Sequence, residues 1–157
     1  RPIEAEANFK LAIKRQRQAL DLAGEHQFIR QLLSKHYYNF AENLANQGRY
    51  AEARQAAIER RDLWPNDAAL LLSAAEQLAA VSQRARGGAK QETAQPQEAE
   101  AAAIAAVASL RSAIAAGLEA PRLNSPALAS LASRKDFQML RQTATVAAEL
   151  SENLAGE

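Results

Sequence analysis

The amino-acid sequence predicts an all-α protein, and composition is the first reason. Of 157 residues, 38 are alanine and 19 are leucine, whereas valine, isoleucine and threonine together supply only 12. Strands are built preferentially from those β-branched residues, so little material is left for a sheet. The second reason is that apolar residues recur at helical spacing along most of the chain. A length of 157 residues suits one domain, and we expect a single domain over 1–157.

Helical spacing divides the first half of the chain into four helices. They are predicted over 2–23, 27–47, 51–63 and 68–84. Gly24 and Gly48 follow the first two helices, where glycine takes the left-handed conformation without a Cβ penalty. Pro65 stops the third helix because proline lacks an N–H donor. Asn66 or Asp67 is then the cap of the fourth helix.

The composition changes abruptly at 84–98, which contains Gly87, Gly88 and Pro96 and no large apolar residue. Such a stretch buries too little surface to offset the entropy of ordering it. We therefore predict a flexible insert over 84–98.

The remainder of the chain is again helical. A fifth helix is predicted over 99–116, ended by Gly117. Ser125 before Pro126 predicts a short helix to about residue 132, because proline is tolerated in the first turn. Ser133 with Asp136 three residues later resembles a capping box and predicts a last helix over 134–154.

The charge balance and the missing cysteine exclude several function classes. The net charge is +1, so no strong field attracts a polyanion and nucleic acid is not an expected partner. The absence of cysteine excludes disulfides and thiol nucleophiles and fits a reducing compartment, so we expect a cytoplasmic location. No apolar run reaches the roughly 18 residues of a membrane helix, so no membrane partner is expected. No histidine and carboxylate pair has metal-ligand spacing, and we expect neither metal nor cofactor.

A 34-residue pattern begins at Ser34. Counting Ser34 as position 1 places apolar, small and turn residues at these positions: Tyr37 (4), Phe40 (7), Ala41 (8), Leu44 (11), Gly48 (15), Tyr50 (17), Glu52 (19), Ala53 (20) and Pro65 (32). The pattern resembles a tetratricopeptide repeat (TPR) over 34–67. Two residues depart from it, since Ala57 stands where a large apolar residue is usual and Arg60 where a small one is usual.

A degenerate second copy covers 68–117, with the insert in place of the tight turn. Its matching residues are Leu71, Ala74, Ala75, Leu78, Ala106, Leu110 and Ala113. The resemblance implies antiparallel helical hairpins stacked as a short TPR-like solenoid. The first helix and the C-terminal helices of 125–154 would then be its caps, because two repeats alone fall short of the roughly three that a stable stack needs.

The residue pattern of 106–140 carries a second resemblance. An alanine-rich helix is followed by a Leu, Ser-Pro, Leu and Asp-Phe pattern, carried by Leu110, Arg111, Ala113, Ile114, Gly117, Leu123, Ser125, Pro126, Leu128, Leu131, Arg134, Asp136, Phe137 and Leu140. It is similar to the closing segment of TPR arrays at the C-termini of large multidomain bacterial serine/threonine protein kinases. The resemblance implies a kinase domain upstream of Arg1 in a longer parent chain. The sequence itself carries no kinase motif, so we expect no enzyme activity in this fragment.

The resemblance implies a non-catalytic protein–protein interaction module, with its binding groove on the first helix of each repeat. The groove residues would be Lys35, Tyr38, Asn39, Glu42, Asn46, Leu72, Ser73 and Glu76. The expected ligand is a protein or peptide segment, or another domain of the parent chain. Lys10, Lys14 and Arg17 share a face of the first helix, which we expect to be a solvated charged face rather than the binding surface.

His36 suggests an alternative. An exposed histidine on a helical bundle is the phosphate acceptor of histidine phosphotransfer modules, so the chain could instead be a helical phosphotransfer or regulatory domain. Tyr37 and Tyr38 follow His36, and two bulky rings there are unlike the small residues that those modules use for docking. Acid-labile phosphate on His36 would discriminate between the two functions.

Overall fold

The computed structural model describes residues 2–24, 26–87 and 94–155, and within these ranges the chain is helical with no strand. The predicted all-α class is confirmed. There are six α-helices and two short 3₁₀ helices in the described residues: α1 (Pro2–Ala23), α2 (Gln27–Asn46), α3 (Tyr50–Asp62), α4 (Ala68–Ala85), α5 (Pro96–Ala115), a first 3₁₀ helix (Ala120–Asn124), a second 3₁₀ helix (Pro126–Leu131) and α6 (Lys135–Ala155). None of these helices is both long enough and apolar enough to cross a membrane.

The helices pack mainly in chain order. Helix α1 packs on α2, α2 on α3, α3 on α4 and α4 on α5, while the second 3₁₀ helix lies against α4. Helix α6 makes fewer contacts, chiefly with the first 3₁₀ helix and α5. This order agrees with consecutive helical hairpins, and the TPR-like solenoid stays a prediction.

The turn between α2 and α3 has the geometry that the sequence predicts. Gly48 has a φ of +73°, in the left-handed region that favours glycine. The Gly48 and Arg49 amides donate to the carbonyls of Ala45 and Leu44, at 3.1 and 3.0 Å, so the last turn of α2 is hydrogen-bonded. At the start of α4 the Asp67 carboxylate accepts from the Leu70 amide at 2.9 Å, which confirms the predicted cap.

Alanine dominates the core, especially where α4 meets α5. Its buried side chains there include Ala74, Ala75, Ala79, Ala85, Ala99, Ala102, Ala103 and Ala106. Small side chains let two helix backbones approach closely, and larger residues such as Leu78 and Leu110 fill the space between them. The buried Ser82 hydroxyl donates to the Ala99 carbonyl at 2.7 Å and fixes the two helices relative to each other.

Trp64 marks the junction between α3 and α4. It follows the last residues of α3 and is 8% exposed. The Arg30 guanidinium of α2 lies over its ring, with the central carbon 5.6 Å from a ring centroid, a cation–π distance. The junction is therefore packed against the preceding helix.

The predicted boundaries of the insert 84–98 are wrong at both ends. Helix α4 continues to Ala85, which is fully buried, and α5 begins at Pro96 rather than at residue 99. Proline is accommodated in the first helical turn because its missing N–H would have no intrahelical partner there. The Gln95 amide also donates to the Ala85 carbonyl at 2.7 Å. The middle of the predicted insert, residues 88–93, lies outside the described residues.

The C-terminal caps also differ from the prediction. The short helix predicted after Ser125 is present as a 3₁₀ helix over 126–131, whereas the first 3₁₀ helix, at 120–124, was not predicted. Helix α6 begins at Lys135, one residue later than expected. Arg134, immediately before it, pairs with Asp136 at 2.8 Å and with Glu100 of α5 at 2.6 Å. This pairing attaches the start of α6 to α5.

Candidate functional site

The structure does not bring the eight predicted groove residues together on one open surface. Leu72 is 3% exposed and belongs to the core, so its assignment to the groove was wrong. Glu42 pairs with Arg84 at 2.9 Å, and Glu76 accepts a hydrogen bond from the Ser125 hydroxyl at 2.7 Å. Asn46 is exposed and Asn39 is half-buried on α2.

Three of the predicted groove residues lie near a side chain that the groove prediction did not include. Arg60 of α3 donates to the Ser73 hydroxyl at 2.9 Å, and its guanidinium lies over the ring of Tyr38. Lys35, Tyr38 and Arg60 line a cavity of about 290 Å³ beside Trp64. Arg60 thus occupies part of the surface on which a ligand was expected. In the sequence, the signal for this arrangement was that Arg60 stands at a repeat position where a small residue is usual.

The α4 part of the predicted groove is covered by the chain's own C-terminal segment. The Ser125 hydroxyl bonds to Glu76, and the Ser130 hydroxyl donates to the Ala79 carbonyl at 3.4 Å. Leu123, Leu128 and Leu131 of the two 3₁₀ helices are buried. An external peptide would have to displace this segment to reach the inner face of α4.

A larger cavity lies between α1 and α3, above α2. Its volume is about 520 Å³. We call it the α1–α3 groove. Its floor is apolar or aromatic and its rim is charged or amide-bearing: the floor residues are Ile13, Tyr37, Phe40, Leu44 and Ala56, and the rim residues are Lys10, Lys14, Arg17, Gln18, Glu52, Gln55 and Glu59. The basic face of α1, expected to be only solvated, therefore forms one wall of a groove.

One end of the α1–α3 groove is held by a cluster of three polar side chains, one from each helix. Arg17 Nε donates to the Tyr37 hydroxyl at 2.6 Å, and that hydroxyl donates to Glu59 Oε2 at 2.6 Å. Arg17 also pairs directly with Glu59. Burial and the neighbouring Glu59 carboxylate raise the pKa of Tyr37 to about 12. The phenol therefore stays neutral and able to donate over the physiological range.

The other end is held by a second cluster centred on Arg49. Its guanidinium bridges Glu6 of α1 and Glu52 of α3, and Glu6 also pairs with Lys10 at 2.6 Å. The hydrogen bonds from Arg49 and Lys10 lower the pKa of Glu6 to about 2. Glu52 has its pKa lowered by Arg49 in the same way. The two clusters fix the separation of the groove walls at both ends.

The α1–α3 groove combines an apolar floor with charged and amide-bearing walls. Within residues 2–24, 26–87 and 94–155 no three metal-ligating side chains come together. His36 is half-buried on α2 and does not line the α1–α3 groove. Its use as a phosphate acceptor stays a prediction.

The chain was compared with family models, curated proteins and solved structures, and it matches none of them.

Proposed function

We propose that this chain is a non-catalytic protein–protein interaction module. It forms part of a TPR-like region resembling those at the C-termini of multidomain bacterial serine/threonine kinases, and it acts in the cytoplasm. The packing of α1 to α5 in chain order supports a stack of hairpins. Such stacks bind partners through the surfaces that their helices leave open.

The observation that carries this proposal is the α1–α3 groove. Its apolar floor is partly open to water through the half-buried Ile13 and Phe40, and covering these two side chains with an apolar surface is favourable. The ion-pair clusters of Arg49 and Arg17 already hold the walls apart. A partner therefore does not have to open the site, which reduces the free-energy cost of binding.

The shape and chemistry of the groove favour an amphipathic helix as the bound segment. A helix can place an apolar face on the floor while its polar sides meet the charged walls of α1 and α3. The face of α2 and α4 predicted from the sequence is a poorer candidate. Its Ser73 and Glu76 side chains already bond to Arg60 and Ser125.

A photo-crosslinking amino acid at Gln55, an exposed rim residue, tests the proposal in extracts of the cells that make the protein. We expect protein adducts at position 55, and none from the same probe at Gln97, which is exposed on α5 outside the groove. The adducts should be lost with Lys14→Glu and persist with Lys35→Glu, a matched exposed lysine on α2. Equal adducts at positions 55 and 97, or loss with Lys35→Glu alone, would contradict the proposal.

A further inference from the structure

Helix α6 has an apolar face that no other part of the described chain covers. Phe137 and Ala144 on one side are buried against the rest of the fold. Another side carries four exposed apolar residues at helical spacing, between 49 and 76% exposed: Met139, Val146, Leu150 and Leu154. Exposed apolar rows of this kind mark interaction surfaces.

The α6 row and the α1–α3 groove match in length. Along α3 the two ion-pair clusters are reached by Glu52 and Glu59, seven residues apart, which is about 10 Å along a helix at 1.5 Å per residue. Val146 and Leu154 are eight residues apart, or about 12 Å. Two turns of α6 therefore span the apolar floor between the clusters.

The basic wall of the groove and α6 also carry charges of opposite sign. On the basic wall, Lys10 pairs with Glu6 and Arg17 pairs with Glu59, whereas Lys14 has no ion pair with any described residue. On α6, Glu149 lies beside the apolar row and likewise has no ion pair within the described ranges. A glutamate next to Val146 and Leu150 is therefore suited to Lys14, the rim cation that has no ion pair in the described part of the chain.

We propose that the α1–α3 groove of one copy binds α6 of a second copy of this chain. Val146, Leu150 and Leu154 lie on the groove floor, and Glu149 pairs with Lys14. This inference rests on the proposed function and names the partner.

The contact joins different surfaces on the two copies, so it leaves a free groove at one end and a free α6 at the other. Repetition extends the assembly, whereas reciprocal exchange of α6 between two copies closes it as a dimer. Two turns of helix bury less than the roughly 800 Å² per partner of a standard interface. Self-association is therefore weak and depends on concentration.

Sedimentation velocity of the purified chain from micromolar to millimolar concentration measures this association. We expect the weight-average sedimentation coefficient to rise with concentration. Leu150→Asp should abolish the rise, because it places a charge in the middle of the row. Leu22→Asp is the matched control, since Leu22 is 90% exposed on α1 and does not line the groove. A chain that stays monomeric, or an equal loss with Leu22→Asp, would overturn the proposal.

A charge exchange identifies the pair of residues. Lys14→Glu and Glu149→Lys should each weaken association at least several-fold, and the double variant should recover most of it because the pair is restored with reversed sign. Both sites are exposed, so circular dichroism should show unchanged helix content in all three variants. A double variant no stronger than the single variants would overturn the assignment.

The two proposals fail in different ways. Purified chain with the photo-crosslinker at Gln55 should give a covalent dimer that is lost with Leu150→Asp. Adducts at position 55 to a different protein, without that dimer, would overturn self-association and leave the interaction module intact. No groove-dependent adduct in either experiment would overturn both.

Discussion

The Arg60 guanidinium lies over the ring of Tyr38, with its central carbon 5.0 Å from the ring centroid. Arg60 is largely buried, and burial lowers its pKa. It also donates to Gln77 Oε1 at 3.2 Å, while the Gln77 amide group donates to the Tyr38 carbonyl at 3.0 Å. One cation from α3 therefore connects α2 and α4.

Replacing Arg60 tests how much this connection stabilises the fold. Arg60→Ala leaves the Gln77 carbonyl oxygen and Ser73 without their donor and opens space beside Tyr38, so we expect a loss of about 1–3 kcal/mol in the free energy of unfolding. Arg61→Ala, the neighbouring arginine paired with Asp62 near the surface, should change it by no more than about 0.5 kcal/mol. Urea denaturation measures both. Equal effects would contradict the structural role of Arg60.

Tyr37 should ionise at a higher pH in the folded protein than in an unfolded chain. Its pKa is raised to about 12, so the folded state keeps the neutral phenol while an unfolded chain loses the proton near pH 10. The contribution of Tyr37 to the free energy of unfolding is therefore fully present below pH 10 and is lost as pH rises from 10 through 12. Phenolate absorbance should show a late titration step near pH 12, and Tyr37→Phe should remove that step. A late step that remains in Tyr37→Phe would refute the assignment.

Glu6 should contribute to stability in the opposite pH range. Its pKa is lowered from 4.5 to about 2, so its contribution is present above pH 4.5 and is lost as pH falls through 2. Between pH 4.5 and 2, the melting temperature of Glu6→Gln should fall less steeply with decreasing pH than that of the parent chain. Glu119→Gln, which removes an exposed carboxylate outside both clusters, controls for the change in net charge. Parallel pH profiles for all three proteins would contradict the prediction.

The α2–α3 turn depends on Gly48. No atom obstructs a Cβ there, so the cost of Gly48→Ala comes from the φ of +73° alone, and we expect about 1 kcal/mol of destabilisation. Gly48→Asn should cost less, because asparagine tolerates the left-handed region better than alanine does. Thermal or urea unfolding measures the difference. An alanine variant as stable as the parent would contradict the turn geometry.

The sequence predicted features that depend on neighbours in the chain. The helices follow from apolar spacing, Gly48 from its position after α2, and the Asp67 cap from its place before α4. Features that depend on distant residues were missed. Leu72 has the spacing of a surface position in the repeat, yet it is buried in the core because other parts of the chain pack over it.

The α1–α3 groove is a feature of this second kind. Its basic wall was visible in the sequence as Lys10, Lys14 and Arg17, but a row of charges on a helix is usually solvated. The pairing of Arg49 with both Glu6 and Glu52, together with that of Arg17 with Glu59, places α3 opposite that row. Arg49 is more than forty residues from Glu6 and three residues from Glu52 in the chain. Local spacing therefore does not reveal that Arg49 bridges α1 and α3.

Trp64 makes the α3–α4 junction optically distinct from the rest of the molecule. It is the single tryptophan of the chain, so indole fluorescence reports on this junction alone, whereas circular dichroism averages over every helix. Because helices that pack mainly on their neighbours in sequence can separate in steps, the two signals need not change together on heating. Coincident midpoints would mean that the alanine-rich α4–α5 pair and the α1–α3 region unfold as one cooperative unit.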